Sequence, residues 1–341
     1  MIDWRDPARR DDIRFVMVDP NNLDEVYGNL EDVQLGSTSI TYGYYADTRY
    51  SSGISFLKFN NYVPNAWIRI IHDVPLEGYS NELGTFIPTS PSESWSGAVI
   101  IKLDLQSPLW GLKDDLLTSK LSIGKSTSVL NAFKAVCESS NRPYIFENPN
   151  DYLTTKAIVY AVGTSKLQVL FDLCDMTGNR MDLDGHGRII LSPVPDQTTL
   201  TPTWTLDADD SRSMIIQGSI EMDSEIDDLP SRAIVVNGNN VGVADLDAGI
   251  EYSAQQRGYI KAQKYDGKGN VQSLAKMYLD TASKIVHYKM NTLYFPCKCG
   301  ENVTFILDGE KHICMIQSID PLDLETMTMG LTLREIFYGQ A

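Results

Sequence analysis

The sequence predicts an α+β protein of several domains, in which two β-rich ends flank an α/β middle region. At 341 residues the chain is too long for one small core. Strand-like segments rich in Thr, Tyr, Ile and Phe fill both ends, and two amphipathic helical patterns lie between them. The predicted divisions are residues 1–110, 111–225 and 226–341, the last with a helix near 271–290.

The first 110 residues have mostly the pattern of β-strands. Residues 13–20 form the short apolar run "IRFVMVDP", and residues 66–75 read "AWIRIIHDVP", in which Arg69 is a polar residue among apolar ones. These segments predict a small antiparallel barrel or sandwich. We expect residues 82–94, "ELGTFIPTSPSES", to be a long loop within it.

The middle region carries two helical patterns, each followed by Asn-Arg and a strand-like segment. One helical face is shared, in the first pattern, by Val129, Leu130, Phe133, Val136 and Cys137, and in the second by Leu167, Leu170, Phe171 and Cys174. Ser165 or Thr164 can cap the second helix and Gly178 can end it. The pair is either a weak internal duplication or a chance similarity.

The C-terminal third predicts strands around one helix. Residues 231–239, "SRAIVVNGN", indicate a strand that ends in an Asn-Gly turn, and Asp308-Gly309 indicates a second turn. The helix near 271–290 has an apolar face made of Leu274, Met277, Tyr278 and Ile285.

Composition excludes several classes of protein. A formal net charge of −16 repels phosphate backbones, so we expect no non-specific nucleic-acid binding through a basic footprint. We also expect no sequence-specific nucleic-acid binding. No apolar run approaches the ~20 residues that span a bilayer, and "MIDWRDPARRDD" has no apolar signal core. The sequence therefore predicts no membrane-spanning segment, and folding in the compartment of synthesis. Five cysteines fit a reducing compartment better than a disulfide framework.

The stretch "RMDLDGHGRIILSPVP", residues 180–195, begins like a calcium loop. Positions one, three, five and six of such a loop fall on Asp182, Asp184, His186 and Gly187. The twelfth position, which should be a bidentate Glu, is Pro193, and a β run precedes it. We therefore predict a hairpin with its turn at residues 185–187.

The sequence contains no motif that predicts a catalytic or cofactor site. The "GKST" at residues 124–127 lacks the glycine that a phosphate-binding loop needs five residues earlier, where Ser119 stands. The segment predicts a loop and helix cap. Nucleophile-elbow, HExxH and dinucleotide fingerprints are absent from the sequence. We nominate no catalytic residue and no cofactor.

Four residues near the C-terminus have the chemistry of zinc ligands: Cys297, Cys299, His312 and Cys314. Against a site, Cys-x-Cys departs from the usual Cys-x2-Cys knuckle. If Asp308-Gly309 is a tight turn, Cys314 pairs near Val303, away from the Cys-x-Cys pair. The preferred interpretation is that these cysteines are small buried apolar residues, with no metal bound.

The order of these segments resembles the hub proteins at the end of phage tails. The similar stretches run along the whole chain: "RFVMVDPNNLDEVYGNLEDVQLGSTSITYG", "WIRIIHDVP", "ELGTFIPTSP", "VIIKLDLQSPLWGLKDDLL", "KLQVLFDLCDMTGNRMDLDGHGRIILSPVP", "IEMDSEIDDLPSRAIVVNG" and "GENVTFILDGEKHICMIQSIDPLDLETMTMGLTLREI". Many relatives continue into a fibre, peptidase or spike region, whereas this sequence stops just after the second β-rich end.

The resemblance implies that both ends are small antiparallel β-barrels of the tail-tube type. It implies a homotrimer, located at the virion tail tip, whose two barrels per subunit form a pseudo-sixfold ring. Such a ring would adapt the distal-tail or tail-tube ring above to a threefold spike, fibre or tape-measure protein below. Its lumen would pass DNA.

Three function classes stay open on the sequence. The leading one is this structural hub, which is not an enzyme. The alternative is a β-rich receptor- or carbohydrate-binding tail protein, for which five Trp and seventeen Tyr offer stacking surfaces. The third is a cell-wall hydrolase with an acid pair among the 45 Asp and Glu residues.

Overall fold

A computed structural model gives the architecture of the chain. It describes residues 2–6, 9–44, 50–57, 61–96, 98–224, 229–246, 254–267, 270–282 and 286–336. Of the helices in these ranges, none is both long and apolar enough to cross a membrane.

The N-terminal part is antiparallel β-sheet, as predicted. Its elements are β1 (Asp12–Asp19), β2 (Asn22–Asn29), β3 (Ser39–Gly43), β4 (Tyr50–Leu57), β5 (Trp67–Val74), β6 (Tyr79–Ser96), β7 (Ala98–Gln106) and the short helix α1 (Pro108–Asp114), with 3-10 turns at Leu35–Ser37 and Pro75–Glu77. The strands lie in the order β3-β4-β7-β6-β5-β1-β2. An isolated bridge between Val33 and Phe56 brings the segment after β2 back to β4.

The prediction of a long loop at residues 82–94 is wrong, because this segment lies within β6. β6 pairs with β5 as far as Phe86 and with β7 from Ile87 onward. Pro88 therefore lies where β6 has one strand neighbour, so its missing N–H costs little. A bulge beside Ser90, which has φ of 48°, takes up the remaining irregularity.

The middle region contains two helices, each followed by a strand, as its two helical patterns predicted. Its elements are β8 (Leu121–Ile123), α2 (Val129–Ser139), β9 (Tyr144–Phe146), β10 (Ile158–Tyr160), α3 (Lys166–Thr177), β11 (Asn179–Leu183) and β12 (Ile189–Pro193). β8 pairs with β10, and β11-β12-β9 form a second small sheet. Both helices pack into one core that includes Phe133, Val136, Leu170 and Leu173.

Serine caps and one glycine set the helix ends in the middle region. Ser128 accepts a hydrogen bond from the N–H of Asn131, and Ser165 accepts one from the N–H of Gln168. Gly178 ends α3 with φ of 64°, a left-handed conformation that side chains disfavour. The predicted cap at Ser165 and terminator at Gly178 are confirmed.

The C-terminal part contributes a second set of strands and a separate small unit. The strands are β13 (Trp204–Asp207), β14 (Glu221–Ser224), β18 (Val286–Leu293), β19 (Asn302–Leu307), β20 (Glu310–Asp323) and β21 (Thr328–Glu335), with a 3-10 turn at Gln197–Thr199. The small unit contains β15 (Arg232–Asn237), β16 (Asn240–Asp245), β17 (Ala262–Asp266) and α4 (Val271–Ala282). Its sheet, β16-β15-β17, is covered by α4.

The helix predicted near residues 271–290 is shorter than expected. It ends at Ala282, and β18 starts at Val286, so the apolar periodicity beyond that point belongs to a strand. Leu274 is buried as predicted, and Met277 and Tyr278 pack beside it, whereas Ile285 lies outside the described residues. The turns at Asn237-Gly238 and Asp308-Gly309 are confirmed by the β15–β16 and β19–β20 pairing.

Both β-rich ends belong to one sheet. The antiparallel pairing of β20 with β3 joins them, giving the order β14-β18-β21-β20-β3-β4-β7-β6-β5-β1-β2, with β19 and β13 branching from β20. One apolar core runs through both ends and includes Phe56, Phe86, Leu105, Phe305 and Leu333. Strand pairing in the described residues leaves this sheet open, so closure into two barrels stays an expectation.

The division of the chain at residues 110 and 225 also stays an expectation. Strand pairing crosses the second position, because β13 and β14 precede it and join β18–β21 in the main sheet. Residues 229–282, which follow it, hold the small unit with its own apolar cores. The third predicted division, residues 226–341, therefore consists of strands of the main sheet and a separate small α/β unit.

Gly330 tests the packing of the main sheet. It pairs with Asn291, and a Cβ there would overlap the backbone oxygen of Asp320. We expect Gly330→Ala to lower the free energy of unfolding by about 1–3 kcal/mol. Gly53→Ala is the matched control, since its Cβ would meet only Leu103 O at 3.9 Å. Urea unfolding of both variants measures the difference, and equal stabilities would contradict the close approach.

Asp175 gives a pH-dependent prediction. Burial, followed by the charge of Asp172, raises the pKa of Asp175 to about 6, although the Tyr278 hydroxyl lies 3.5 Å away and opposes this. The folded carboxyl binds its proton more tightly than the unfolded one, so stability falls as pH rises from about 4 to about 6. Asp175→Asn should therefore be more stable than wild type above pH 7, by about 1–3 kcal/mol.

The advantage of Asp175→Asn should disappear below about pH 3, where the wild-type carboxyl is protonated in both states. Urea unfolding at both pH values measures it. Asp114→Asn, at an exposed position, is the control for loss of one charge. A pH-independent difference between Asp175→Asn and wild type would refute the assignment.

Candidate functional site

The calcium-like stretch forms a hairpin that contacts the N-terminal sheet. β11 and β12 pair antiparallel, with Asn179 opposite Pro193 and Leu183 opposite Ile189. The turn lies at residues 185–187, as predicted. Asp184 accepts hydrogen bonds from the N–H of Arg188 at 2.8 Å and from its Nε at 2.6 Å. Its carboxylate therefore closes the turn, and the hairpin prediction is confirmed.

The hairpin tip is bonded to β6. Thr85 Oγ1 donates to the carbonyl oxygen of Gly185 at 2.7 Å. His186 lies 2.9 Å from Glu82 through Nε2, and 3.3 Å from Asp24 through Nδ1. A Cβ at Gly185 would overlap the Cβ of Glu82, so only glycine permits this approach. The tip thus fixes the middle region against the N-terminal sheet.

Arg69, the polar residue inside the apolar β5 pattern, contributes to this contact through a hydrogen bond to Thr85. Its Nε donates to Thr85 Oγ1 at 3.1 Å, and its Nη2 donates to Leu23 O at 2.6 Å. Burial lowers the pKa of the Arg69 guanidinium. A buried cation with these acceptors orients the Thr85 hydroxyl toward the hairpin.

A cavity of about 300 Å³ lies where the three parts meet. Its lining comes from the N-terminal sheet, the hairpin and the C-terminal part, and includes Tyr42, Glu82, Arg180, Asp182, Tyr294 and Cys297. Arg180 pairs with Asp182 and stacks over the Tyr44 ring at 4.4 Å. Burial raises the pKa of both Tyr294 and Cys297, which keeps the two groups neutral at ordinary pH.

The four zinc-ligand candidates are distributed over different environments. Cys297 and Cys299 line the cavity, while Cys314 is fully buried opposite Val303, the pairing that the hairpin turn predicted. His312 lies 3.2 Å from Glu335 and 3.3 Å from the Tyr288 hydroxyl. Among the residues that the structure describes, no group of three or more His, Cys, Asp or Glu is placed to hold a metal ion.

The "GKST" segment is a loop that leads into the helix cap at Ser128. Thr154 Oγ1 donates to Gly124 O and accepts from the N–H of Thr127 at 3.0 Å, and Ser128 caps α2. Its backbone groups are therefore engaged within the chain, as the helix-cap prediction required. Sequence reasoning missed the junction residues Thr85 and Gly185. The only sequence signal for the junction was Arg69, a charged residue in an otherwise buried strand.

No protein-family model matches the chain, and no curated protein matches it in sequence. Solved structures do match. The tail protein from Neisseria meningitidis MC58 superposes with a TM-score of 0.69 at 15% identity, covering 95% of this chain and 96% of that one. The 43 kDa tail protein of prophage MuSo2 from Shewanella oneidensis gives 0.66 at 11% identity, covering 95% and 98%.

Prophage tail protein gp18 from Listeria monocytogenes EGD-e also matches, with a TM-score of 0.59 at 11% identity, covering 94% of both chains. The chain has the fold of these tail proteins. The resemblance read from the order of the sequence segments is thus confirmed at the level of fold.

Gly185→Ala tests the hairpin junction. Its Cβ would overlap Glu82, so the tip must withdraw from β6 and lose the Thr85 hydrogen bond. We expect a loss of about 1–3 kcal/mol in the free energy of unfolding. Gly124→Ala is the control, because its Cβ would meet only Thr127 Oγ1 at 3.4 Å. A thermal melt that is unchanged for Gly185→Ala would disprove the close contact.

Proposed function

We propose that this chain is a structural protein of a phage-type tail and acts as the hub at the tail tip. The observation that carries the proposal is the fold that it shares, over 95% of its length, with the tail proteins of Neisseria meningitidis and Shewanella oneidensis. The proposed role lies in assembly surfaces and includes no catalytic step. The proposed location is the virion tail tip, and the proposed place of assembly is the host cytoplasm.

The proposed assembly is a homotrimer. Two β-rich ends per subunit, edge to edge in one sheet through β3 and β20, supply six similar segments in a threefold ring. Such a ring matches sixfold symmetry on one face and threefold symmetry on the other. The partners on these faces are the distal-tail or tail-tube ring, and the spike, fibre or tape-measure protein.

The junction between the three parts supports this adaptor role. The hairpin tip, Arg69 and the shared sheet hold the N-terminal, middle and C-terminal parts in one arrangement. An adaptor needs this, because each face must present a fixed spacing to a ring already assembled. The proposed lumen passes DNA, and a net charge of −16 is suited to a channel to which phosphates do not adhere.

The alternative function is receptor or carbohydrate binding. One observation favours it: Trp95, near the end of the β6–β7 hairpin, is 74% exposed. An exposed indole offers a stacking face to a sugar ring. The two functions separate by experiment, because a hub acts through self-assembly and a receptor-binding protein acts through an external ligand.

Light scattering on the purified chain tests the hub, alone and mixed with a tail-tube ring protein. We expect a trimer, either in isolation or on the ring, and a threefold particle with a central hole in negative-stain images. We expect neither glycan-array binding nor clearing of cell walls in a zymogram. A monomer that binds glycans and loses that binding in Trp95→Ala would replace the hub with the alternative function.

A further inference from the structure

A two-stranded ribbon on the middle region has one uncovered face. We define the ribbon as residues 116–128 and 152–166, the segments that contain β8 and β10. Ile123 and Tyr160 point into the core, whereas Ser122 and Val159 pair on the opposite, exposed face. The described residues supply no third strand to this sheet.

The ribbon exposes several aliphatic side chains. Four of them are 48–64% exposed: Leu116, Leu153, Val159 and Val162. Isolated exposed aliphatic residues are common, but these lie along both segments of one ribbon. A cluster of this kind is typical of a surface that another protein covers.

The ribbon also differs in charge from the rest of the molecule. It contains four lysines and not one Asp or Glu, in a chain with 45 acidic residues. Removing these four positive charges from the net charge of −16 leaves −20 on the remainder. Lys166 is held by Asp115 at 2.8 Å. Lys120, Lys125 and Lys156 are exposed and pair with no carboxylate of the described residues.

A complementary surface exists on the same chain. We call residues Glu221–Asp223 of β14 the acidic edge. β14 ends the main sheet in the described residues, with β18 beside it on one side. Met222 is 64% exposed on one face of the strand, and the exposed Glu221 and Asp223 lie on the opposite face, where Asp223 Oδ2 is 3.8 Å from Lys289 Nζ. The acidic edge thus exposes one apolar side chain and two carboxylates across its two faces, while the ribbon exposes aliphatic side chains and lysines.

We propose that the ribbon of one copy docks on the acidic edge of a second copy. The occupant is a second copy because the ribbon needs a negatively charged partner with an exposed apolar residue, and this chain carries one. The two surfaces differ, so the contact is heterologous, and contacts of this kind generate a closed ring when the rotation between copies closes. This inference rests on the proposed trimer and assigns its interface.

Opposite charges on the two surfaces set the register and speed of association more than its final strength. The aliphatic residues supply the area removed from water. Three copies placed in this way leave neither ribbon nor acidic edge uncovered. An isolated copy exposes both.

Charge reversal tests the contact. The variant Lys120→Glu, Lys125→Glu, Lys156→Glu should associate about tenfold more weakly, or not at all, in sedimentation analysis. Its thermal melt should match that of wild-type protein dissociated by dilution. The matched control reverses three exposed lysines elsewhere, Lys102→Glu, Lys264→Glu and Lys311→Glu, which gives the same net charge. Adding Glu221→Lys and Asp223→Lys to the ribbon variant should restore association.

Cross-linking gives a second readout that does not depend on charge. Val159→Cys with Met222→Cys in one chain should form covalent species up to the trimer under mild oxidation. Either substitution alone should leave monomers, because a heterologous contact never places a residue against its own copy. The native cysteines provide the background, and three of them are buried.

The outcomes separate the two proposals. If wild-type protein forms a trimer and the ribbon reversal alone leaves that trimer intact, this contact is overturned and the proposed hub stands. A wild-type chain that does not self-associate, alone or on the ring protein, overturns both. A third outcome is that the wild-type protein binds DNA or anionic vesicles, and that the ribbon variant loses this binding but keeps the trimer. That outcome would assign the ribbon to phosphate-bearing partners and overturn the contact.

Discussion

The pairing of β20 with β3 is the constraint on which the rest of the structure depends. β20 has 14 residues and contacts three strands, with β19 and then β3 along one side and β21 along the other. Its buried residues Ile316, Ile319 and Leu322 lie in the core shared by both ends of the chain. Residues near the start and end of the sequence therefore fold as one cooperative sheet, although nearly the whole chain separates them.

The hairpin tip fastens the middle region to this sheet through a close backbone approach and hydrogen bonds. The hairpin tip contacts β6 where Gly185 has no side chain, and Thr85 and Arg69 complete the polar contact. The cavity beside it is lined by all three parts, with the Arg180–Asp182 pair at its wall. A polar junction with fixed hydrogen bonds holds an orientation more sharply than a smooth apolar surface, which tolerates sliding.

Charge is distributed unevenly over this frame. Acidic residues dominate nearly everywhere, which keeps the surface soluble and repels phosphate. The ribbon has lysines and no carboxylates, and it carries exposed aliphatic residues as well. The fold places the ribbon on the middle region and the acidic edge at the end of the main sheet.

The sequence by itself determined the local features: the Ser165 cap, the Gly178 terminator, the hairpin turn and the opposition of Cys314 and Val303. These features depend on neighbouring residues, and the type and spacing of those residues indicate their conformational preferences. It also contained the ribbon's charge pattern, but not its exposure. Only the tertiary structure decided that 82–94 is strand, that α4 stops at Ala282 and that β3 pairs with β20. Each of these depends on partners distant in sequence, because backbone groups pair with whichever strand the fold brings alongside.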